Sequence, residues 1–228
     1  MLTDPATITL LLMAIGIGAL HALDADHVMA VSALAARRPD RRRCLLTAAG
    51  WSAGHALTLI GAGAAVFVLG RALPSGVEIY AERAAAILLA GIGLLIIRDL
   101  LIKGARLTVH RHPSHGAHLH WVRSEGHPRQ RAEGAHEAVF VGACHGLAGS
   151  APALALIPAG TRGTVWEASL ILVAFSLGVL AMMVGLGVLL ARVIGSRQRP
   201  AWIRLDWLRA AAGGGSIVLG AVIFLNSY

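Results

Sequence analysis

Residues 21 to 27 read His-Ala-Leu-Asp-Ala-Asp-His, and they interrupt a run that is otherwise apolar from Ile8 to Ala36. Ionisable side chains are costly in hydrocarbon, so those inside a membrane-spanning segment are rare and mark binding sites or ion pathways. Imidazole and carboxylate groups are both ligands for divalent metal ions. The heptapeptide therefore predicts a metal-ion site at membrane depth, with four candidate ligands: His21, Asp24, Asp26 and His27.

The rest of the chain has the composition of a membrane protein. Of its 228 residues, 56% are hydrophobic and 14% are charged, whereas a soluble domain carries roughly a quarter charged residues. Six apolar runs approach the ~20 residues that cross a bilayer core, and the first is too long for one straight helix, which predicts a break near residues 21–27. We expect a single all-α membrane domain over 1–228 with six transmembrane helices, at about Pro5–Ala36, Cys44–Gly70, Ala81–Ile102, Ala135–Ala159, Val165–Ile194 and Leu208–Asn226.

Lysine and arginine residues concentrate in alternate loops, which accounts for the net charge of +8 without nucleic acid as a partner. Five arginines lie between Arg37 and Arg43, six basic residues lie in the third loop, and four arginines lie between Arg192 and Arg204. Because basic loops stay in the cytoplasm, the distribution predicts an integral protein of a bacterial-type cytoplasmic membrane. Both termini face outward, and the third loop is cytoplasmic.

An internal repeat relates positions 124 residues apart. Residues 18–23 (GALHAL) align with 142–147 (GACHGL), and residues 51–54 (WSAG) align with 175–178 (FSLG). In the last pair of spans, an Arg-Ala-Ala-Ala sequence recurs at a separation of 126 residues, at Arg83 and Arg209.

The repeat predicts two units of three spans, 5–102 and 135–228, separated by a loop over 103–134. Since three is odd, the second unit would cross the membrane in the opposite sense, as in many secondary transporters whose binding site lies between inverted repeats. The units differ in their ionisable residues, because the positions of Asp24, Asp26 and His27 are taken by Ala148, Ser150 and Ala151 in the second unit.

The roles of the two aspartates are open at this point. On a continuous helix His21, Asp24 and His27 share a face, with Asp26 turned away. Either His21, Asp26 and His27 bind the ion while Asp24 orients an imidazole, or Asp24 binds directly. Two further candidate ligands follow in later spans, His55 and His145.

The third loop is rich in histidine, and short histidine-rich tracts bind metal ions. We interpret it as an accessory metal-binding loop, with His110, His112, His115, His118, His120 and His127 as its candidate ligands. The two cysteines, Cys44 and Cys144, form no CxxC motif, so imidazole and carboxylate ligands predict Ni, Co, Zn or Mn over Cu(I).

The pattern His21-x4-Asp26-His27 resembles the HxxxxDH signature of the nickel/cobalt transporter family. Residues 145–150 and 51–57 are similar to the urease-associated nickel permease branch of that family. The resemblance implies a non-enzymatic secondary transporter, with Ni(II) or Co(II) as its transported substrate and no cofactor. Uptake is the expected direction, and a cytoplasmic metallochaperone is a candidate partner beside the lipid bilayer.

Three alternatives are weighed against uptake. The first is efflux of Ni or Co on the same scaffold. The second is a thiol-redox carrier, which would need matched cysteines, whereas Cys144 aligns with Leu20 and Cys44 with Ala168. The third is an intramembrane metallohydrolase, for which Asp24 is a candidate acid/base, although the sequence contains no HExxH motif.

Overall fold

The computed structural model describes residues 4–37, 41–69, 76–103, 107–111, 117–121, 133–148, 164–195 and 205–227. Within these residues the chain forms seven helices and one β-hairpin, so the prediction of an α-helical membrane protein is confirmed. The elements are α1 (Pro5–His21), α2 (Ala25–Arg37), α3 (Arg41–Leu69), α4 (Val77–Lys103), β1 (Leu107–Arg111), β2 (Ala117–Trp121), α5 (Glu133–Ala148), α6 (Val165–Gly195) and α7 (Leu205–Asn226).

The first apolar run is bent, as its length predicts. α1 and α2 meet at an angle of 61° across residues 22–24. The backbone N–H of Asp24 donates to the His21 carbonyl in a tight turn, and the Asp24 carbonyl then accepts the first α2 bond from Val28. Asp26 lies in the first turn of α2, where a carboxylate interacts favourably with the helix dipole. The break therefore lies within the predicted metal motif.

Four helices are long and apolar enough to cross a membrane: α3, α4, α6 and α7. The bent pair of α1 and α2 makes a fifth if it crosses as one broken span. The described part of α5 has 16 residues, about 24 Å of helix, which is shorter than the ~30 Å hydrocarbon core. Residues 149–159 of the predicted fourth span lie outside the described residues, so six spans remains a prediction.

The helices expose large apolar side chains on their outer faces, including Leu12, Leu57 and Leu101, which are 64%, 70% and 75% exposed. The interior holds two large aromatic rings, Trp51 and Phe175, both fully buried. Helices that are apolar on the outside as well as the inside are typical of a lipid environment. The distribution agrees with an integral membrane protein.

Close packing of α1 on α6 is repeated by α5 on α3. A Cβ atom at Gly18 would overlap the carbonyl oxygen of Phe175, and a Cβ atom at Gly142 would overlap that of Trp51. Each residue of the first contact is 124 positions from its counterpart in the second, which is the offset found in the sequence.

A second glycine pair follows the same relation. A Cβ atom at Gly178 would overlap the Ile15 carbonyl and lie 2.9 Å from the Ala19 nitrogen. One at Gly54 would overlap the Val139 carbonyl and lie 2.9 Å from the nitrogen of Ala143, again 124 residues further along. The two helix pairs therefore meet at corresponding atoms.

The contact of α4 with α7 relates its residues differently. A Cβ atom at Gly93 would lie 3.1 Å from the Ile217 nitrogen, and one at Gly220 would lie 3.0 Å from the Ala90 nitrogen. Gly93 and Gly220 are 127 residues apart, and so are Ala90 and Ile217. This separation is one residue more than the Arg-Ala-Ala-Ala match predicts. The short sequence match is thus displaced by one residue from the packing.

The loop over 103–134 contains the antiparallel hairpin of β1 and β2, which the sequence analysis does not predict. His110 pairs with His118 in the register, and Thr108 pairs with His120. The other histidines of the predicted accessory loop, His112, His115 and His127, lie outside the described residues.

Candidate metal-ion site

The break between α1 and α2 brings His21 and His27 together. Their Nε2 atoms are 3.1 Å apart, and their ring centroids are 4.6 Å apart at an interplanar angle of 76°. His21 ends α1 and His27 lies in the first turn of α2. Both side chains are buried. The bend thus places both imidazoles at one point inside the helix bundle.

Each aspartate lies behind one of these imidazoles. Asp24 Oδ2 is 2.8 Å from His21 Nδ1, and Asp26 Oδ1 is 2.9 Å from His27 Nδ1. An ionised carboxylate can only accept a hydrogen bond, so the tautomer that places the hydrogen on Nδ1 toward the carboxylate leaves the lone pair on Nε2. This is the arrangement in which a carboxylate orients a metal-ligating histidine. For Asp24 it matches the orienting role that the sequence left open, and Asp26 takes an equivalent position on His27.

With the hydrogen of both rings on Nδ1, the two facing Nε2 atoms each offer only a lone pair and cannot satisfy one another. With the hydrogen of one ring on Nε2, that nitrogen donates to the other. Two nitrogens about 2.1 Å from one metal ion are roughly 3.0 to 3.4 Å apart for ligand angles between about 90° and 109°. The observed separation of 3.1 Å lies in this range. A cation bound between His21 and His27 would satisfy both lone pairs.

His55 on α3 completes a group of three. One ring nitrogen from each of His21, His27 and His55 lies within 4.8 Å of the others. His55 is fully buried, and neither of its ring nitrogens has a hydrogen-bond partner. A Cβ atom at Gly146 would overlap the His55 carbonyl oxygen, so α5 packs directly on the backbone of α3 at this ligand.

His145 on α5 lies beside the group without belonging to it. Its ring centroid is 5.6 Å from that of His27. Its Nδ1–H donates to the carbonyl oxygen of Val141 at 2.9 Å, which leaves a buried Nε2 lone pair without a partner. Six residues were predicted for the membrane site. The structure brings the four histidines together, and it places Asp24 and Asp26 on the outer sides of the His21 and His27 rings.

Two aromatic side chains belong to this site, although the sequence analysis does not include them among its candidates. The Trp51 ring stacks on His55 at 5.2 Å and meets the edge of His27 at 4.8 Å, while Phe175 lies 5.4 Å from His21. Trp51 and Phe175 are 124 residues apart. Their equivalence in the repeat was the sequence signal that could have identified both residues, since each precedes an equivalent glycine by three positions.

The arrangement is suited to a divalent transition-metal ion. The inward atoms are imidazole nitrogens, while the negative charges lie on Asp24 and Asp26 on the outer sides of two of these rings. Imidazole suits Zn, Cu, Fe and Ni, and geometry selects among them. Neither cysteine is in the three-histidine group, so thiolate does not contribute there.

These features define a polytopic α-helical membrane protein with a buried imidazole cluster at a helix break. A family model described as cytochrome C biogenesis protein transmembrane region matches residues 25–222, and the chain belongs to this family. His21 lies before the matched residues. The chain is also 29% identical over 179 residues to the urease accessory protein UreH of Bacillus sp. (strain TB-90), covering 77% of this chain and 74% of that protein. No solved structure shows significant similarity to it.

Proposed function

We propose that this protein is a secondary transporter that moves Ni(II) or Co(II) across the cytoplasmic membrane, in the direction of uptake. The observation that carries the proposal is the pair of buried Nε2 atoms 3.1 Å apart, each on a ring whose Nδ1 faces a carboxylate. His55 and His145 add ring nitrogens without partners. A cation bound among these imidazoles would give the unpartnered nitrogens of His55 and His145 a partner and would bind both facing Nε2 atoms.

The charges of the site favour a divalent cargo. Neutral imidazoles contribute no charge, and ionised Asp24 and Asp26 together contribute −2, so a divalent ion makes the occupied site neutral. An unbalanced charge is expensive in a low-dielectric interior. A monovalent ion would leave one negative charge uncompensated.

The choice of nickel or cobalt rests on resemblance as well as chemistry. The HxxxxDH signature resembles that of nickel/cobalt transporters, and imidazole ligands accept both ions. The curated relative is named a urease accessory protein, which agrees with the urease-associated branch that the sequence resembles. The metal is cargo here, so the proposal assigns no cofactor and no catalytic residue.

Alternating access is the mechanism we infer. The matched glycine contacts support two repeats, 5–102 and 135–228, of three spans each in opposite orientations. The imidazole cluster draws on both repeats, because His21, His27 and His55 belong to the first and His145 to the second. Rocking of one repeat against the other would expose a site at their interface to each side in turn.

The membrane potential suffices to drive uptake. A divalent ion moving through ~100 mV, negative inside, gains about 4.6 kcal/mol, from roughly 2.3 per charge. Since ~1.4 kcal/mol corresponds to tenfold, this sustains an accumulation of about a thousandfold. The basic third loop would then be cytoplasmic, and its histidines would receive the ion before a metallochaperone takes it.

The test is transport by the purified full-length protein in proteoliposomes with Ni(II) or Co(II) outside. Uptake that grows with an inside-negative potential is expected, and His21→Ala and His27→Ala should abolish it. His136→Ala is the matched control, because His136 is an exposed histidine on α5. Metal transport that occurs only in exchange for protons would instead favour efflux. Full uptake by both histidine variants would refute the proposed site.

The family description leaves a redox role to be tested. In the described structure neither cysteine forms a disulfide, and Cys44 packs against Ala35 and Ala191. Cys44 is eleven residues before His55, about 16 Å along α3, whereas Cys144 is adjacent to His145. A Cys44→Ser/Cys144→Ser double variant should transport normally. Loss of transport in this variant at normal expression would favour the thiol carrier.

A further inference from the structure

We propose that Trp51 is a positioning residue of the ion site, and that stacking on its indole ring fixes the orientation of the His55 imidazole. This inference rests on the proposed function, since it concerns how the protein presents a ligand to the metal ion. It assigns a role to a side chain that contributes no ligand atom itself.

Trp51 is in contact with most of the cluster. Its ring lies 5.2 Å from His55 at an interplanar angle of 28°, 4.8 Å from His27, and 5.7 Å from His145. The side chain is fully buried. Aromatic rings at such distances favour stacked and edge-to-face arrangements, which restrict how a ring can turn.

His55 differs from the other three histidines in how its ring is held. A metal-ligating histidine usually donates its second ring N–H to a carboxylate or carbonyl, which fixes the ring. An oxygen of Asp24, Asp26 or the Val141 carbonyl lies 2.8 to 2.9 Å from Nδ1 of His21, His27 and His145 respectively, although the approach of Asp26 to His27 does not form a hydrogen bond.

Neither ring nitrogen of His55 has a partner. Among the described residues, the aromatic contacts of His55 are with His21, His27 and Trp51, and only the contact with Trp51 is stacked. The indole face therefore takes the place of the missing hydrogen bond. Without it, the His55 ring would turn about its side-chain bonds and present its nitrogen to the ion less often.

Phe175 provides an internal comparison. It is the repeat equivalent of Trp51, and it contacts His21 at 5.4 Å and an interplanar angle of 40°. The His21 ring is already oriented by Asp24. Loss of the aromatic ring should therefore cost less at residue 175 than at residue 51.

The experiment measures Co(II) binding by the purified full-length protein, using the ligand-field absorption bands that report coordination geometry. Trp51→Leu should weaken binding about 10- to 100-fold, the range found when an orienting partner of a metal ligand is removed. Its spectrum should shift toward that of His55→Ala. Trp51→Phe, which keeps a ring face, should restore the wild-type spectrum, and Phe175→Leu should show a smaller loss.

Two further variants separate positioning from stability. Trp166→Leu removes an exposed tryptophan on α6 and should leave affinity and spectrum unchanged. Trp51→Met fills space with a flexible side chain that has no ring face. It should reproduce the spectral shift even where Trp51→Leu is too unstable to purify, with thermal unfolding measured on metal-free protein.

A wild-type spectrum and affinity in Trp51→Leu or Trp51→Met would overturn the proposal. So would a Trp51→Phe protein that behaves like Trp51→Leu, because the indole N–H and not the stacking face would then matter. Failure of the wild-type protein to bind Co(II) or Ni(II) at all is a different result, which would refute the proposed function itself.

Discussion

The first helical segments of the two predicted repeats differ at the candidate metal site. In the first, the chain breaks at residues 22–24 and turns by 61° into α2. In the second, the corresponding residues 146–148 remain helical within α5. Yet the helices around both segments pack through equivalent glycines against equivalent backbone atoms. The packing is thus shared by the two segments, whereas the carboxylates belong to one.

The pairing of the His and Asp side chains in the first segment depends on the bend between α1 and α2. His21, Asp24, Asp26 and His27 form their pairs only because the bend brings Asp26 and His27 back toward the end of α1. The second segment retains His145, whose ring is held by its own helix at Val141. The carboxylate-backed histidine pair therefore lies at a helix break, whereas the single histidine of the second segment is held by the backbone of its own helix.

The largest expected effect comes from removing the histidines of the first segment. His27→Ala should weaken Ni(II) or Co(II) binding at least about 100-fold, or about 2.7 kcal/mol, since it removes one of two facing ligands. His145→Ala should cost about tenfold, because His145 lies outside the three-histidine group. Titration calorimetry of the purified protein measures both. Equal losses would mean that the two segments contribute equally to binding.

The shared packing can be tested at Gly54 and Gly178. An added Cβ would overlap a carbonyl oxygen at each position, so Gly54→Ala and Gly178→Ala should each destabilise the protein by about 1 to 3 kcal/mol. Gly16→Ala and Gly61→Ala are matched controls with open space around them, and they should be neutral or slightly stabilising.

Thermal unfolding in detergent, without metal, compares these four variants. Similar losses at Gly54 and Gly178 are expected from equivalent contacts. A large loss at only one of them would show that the two helix pairs are not equivalent in energy.

The carboxylates should have a smaller effect than the histidines they orient. Asp24→Asn and Asp26→Asn keep an acceptor oxygen but lose the charge, and we expect metal affinity to fall about 10- to 100-fold. Asp26 is less exposed than Asp24, so its replacement should have the stronger effect. Affinity measured by competition with a chelator tests this, and a loss as large as that of His27→Ala would make the carboxylate a direct ligand.

Much of this architecture could be predicted from residue types and spacing. The length of the first apolar run predicted the break, and the concentration of ionisable groups at 21–27 predicted which residues come together. The sequence could not assign Asp24 and Asp26, because on a continuous helix they point in different directions. Only the bend angle puts each on a different imidazole. Trp51 was not predicted as part of the site, although the repeat aligns it with Phe175, because an aromatic ring supplies no ligand atom. The β1–β2 hairpin was not predicted because a short polar segment carries no distinctive spacing.

The smallest expected effect concerns an ion pair between the two segments. Arg37, at the end of α2, pairs with Glu137 near the start of α5, and both side chains are partly exposed. Along their helices these residues are about 15 Å from His27 and about 12 Å from His145, so the pair lies well away from the imidazole cluster. Partly exposed pairs of this kind contribute roughly 0.2 to 1 kcal/mol.

Arg37→Ala and Glu137→Ala should therefore leave metal affinity unchanged and show a coupling energy of at most about 1 kcal/mol in a double-mutant cycle of thermal unfolding. If the two repeats separate on this side during transport, the loss of the pair should change the transport rate up to about fivefold, because that coupling favours the closed arrangement. The charge-reversed double variant, Arg37→Glu with Glu137→Arg, should restore the wild-type rate. Strictly additive effects on both stability and rate would show that the pair does not join the repeats, and the difference between the segments would then be confined to the metal site.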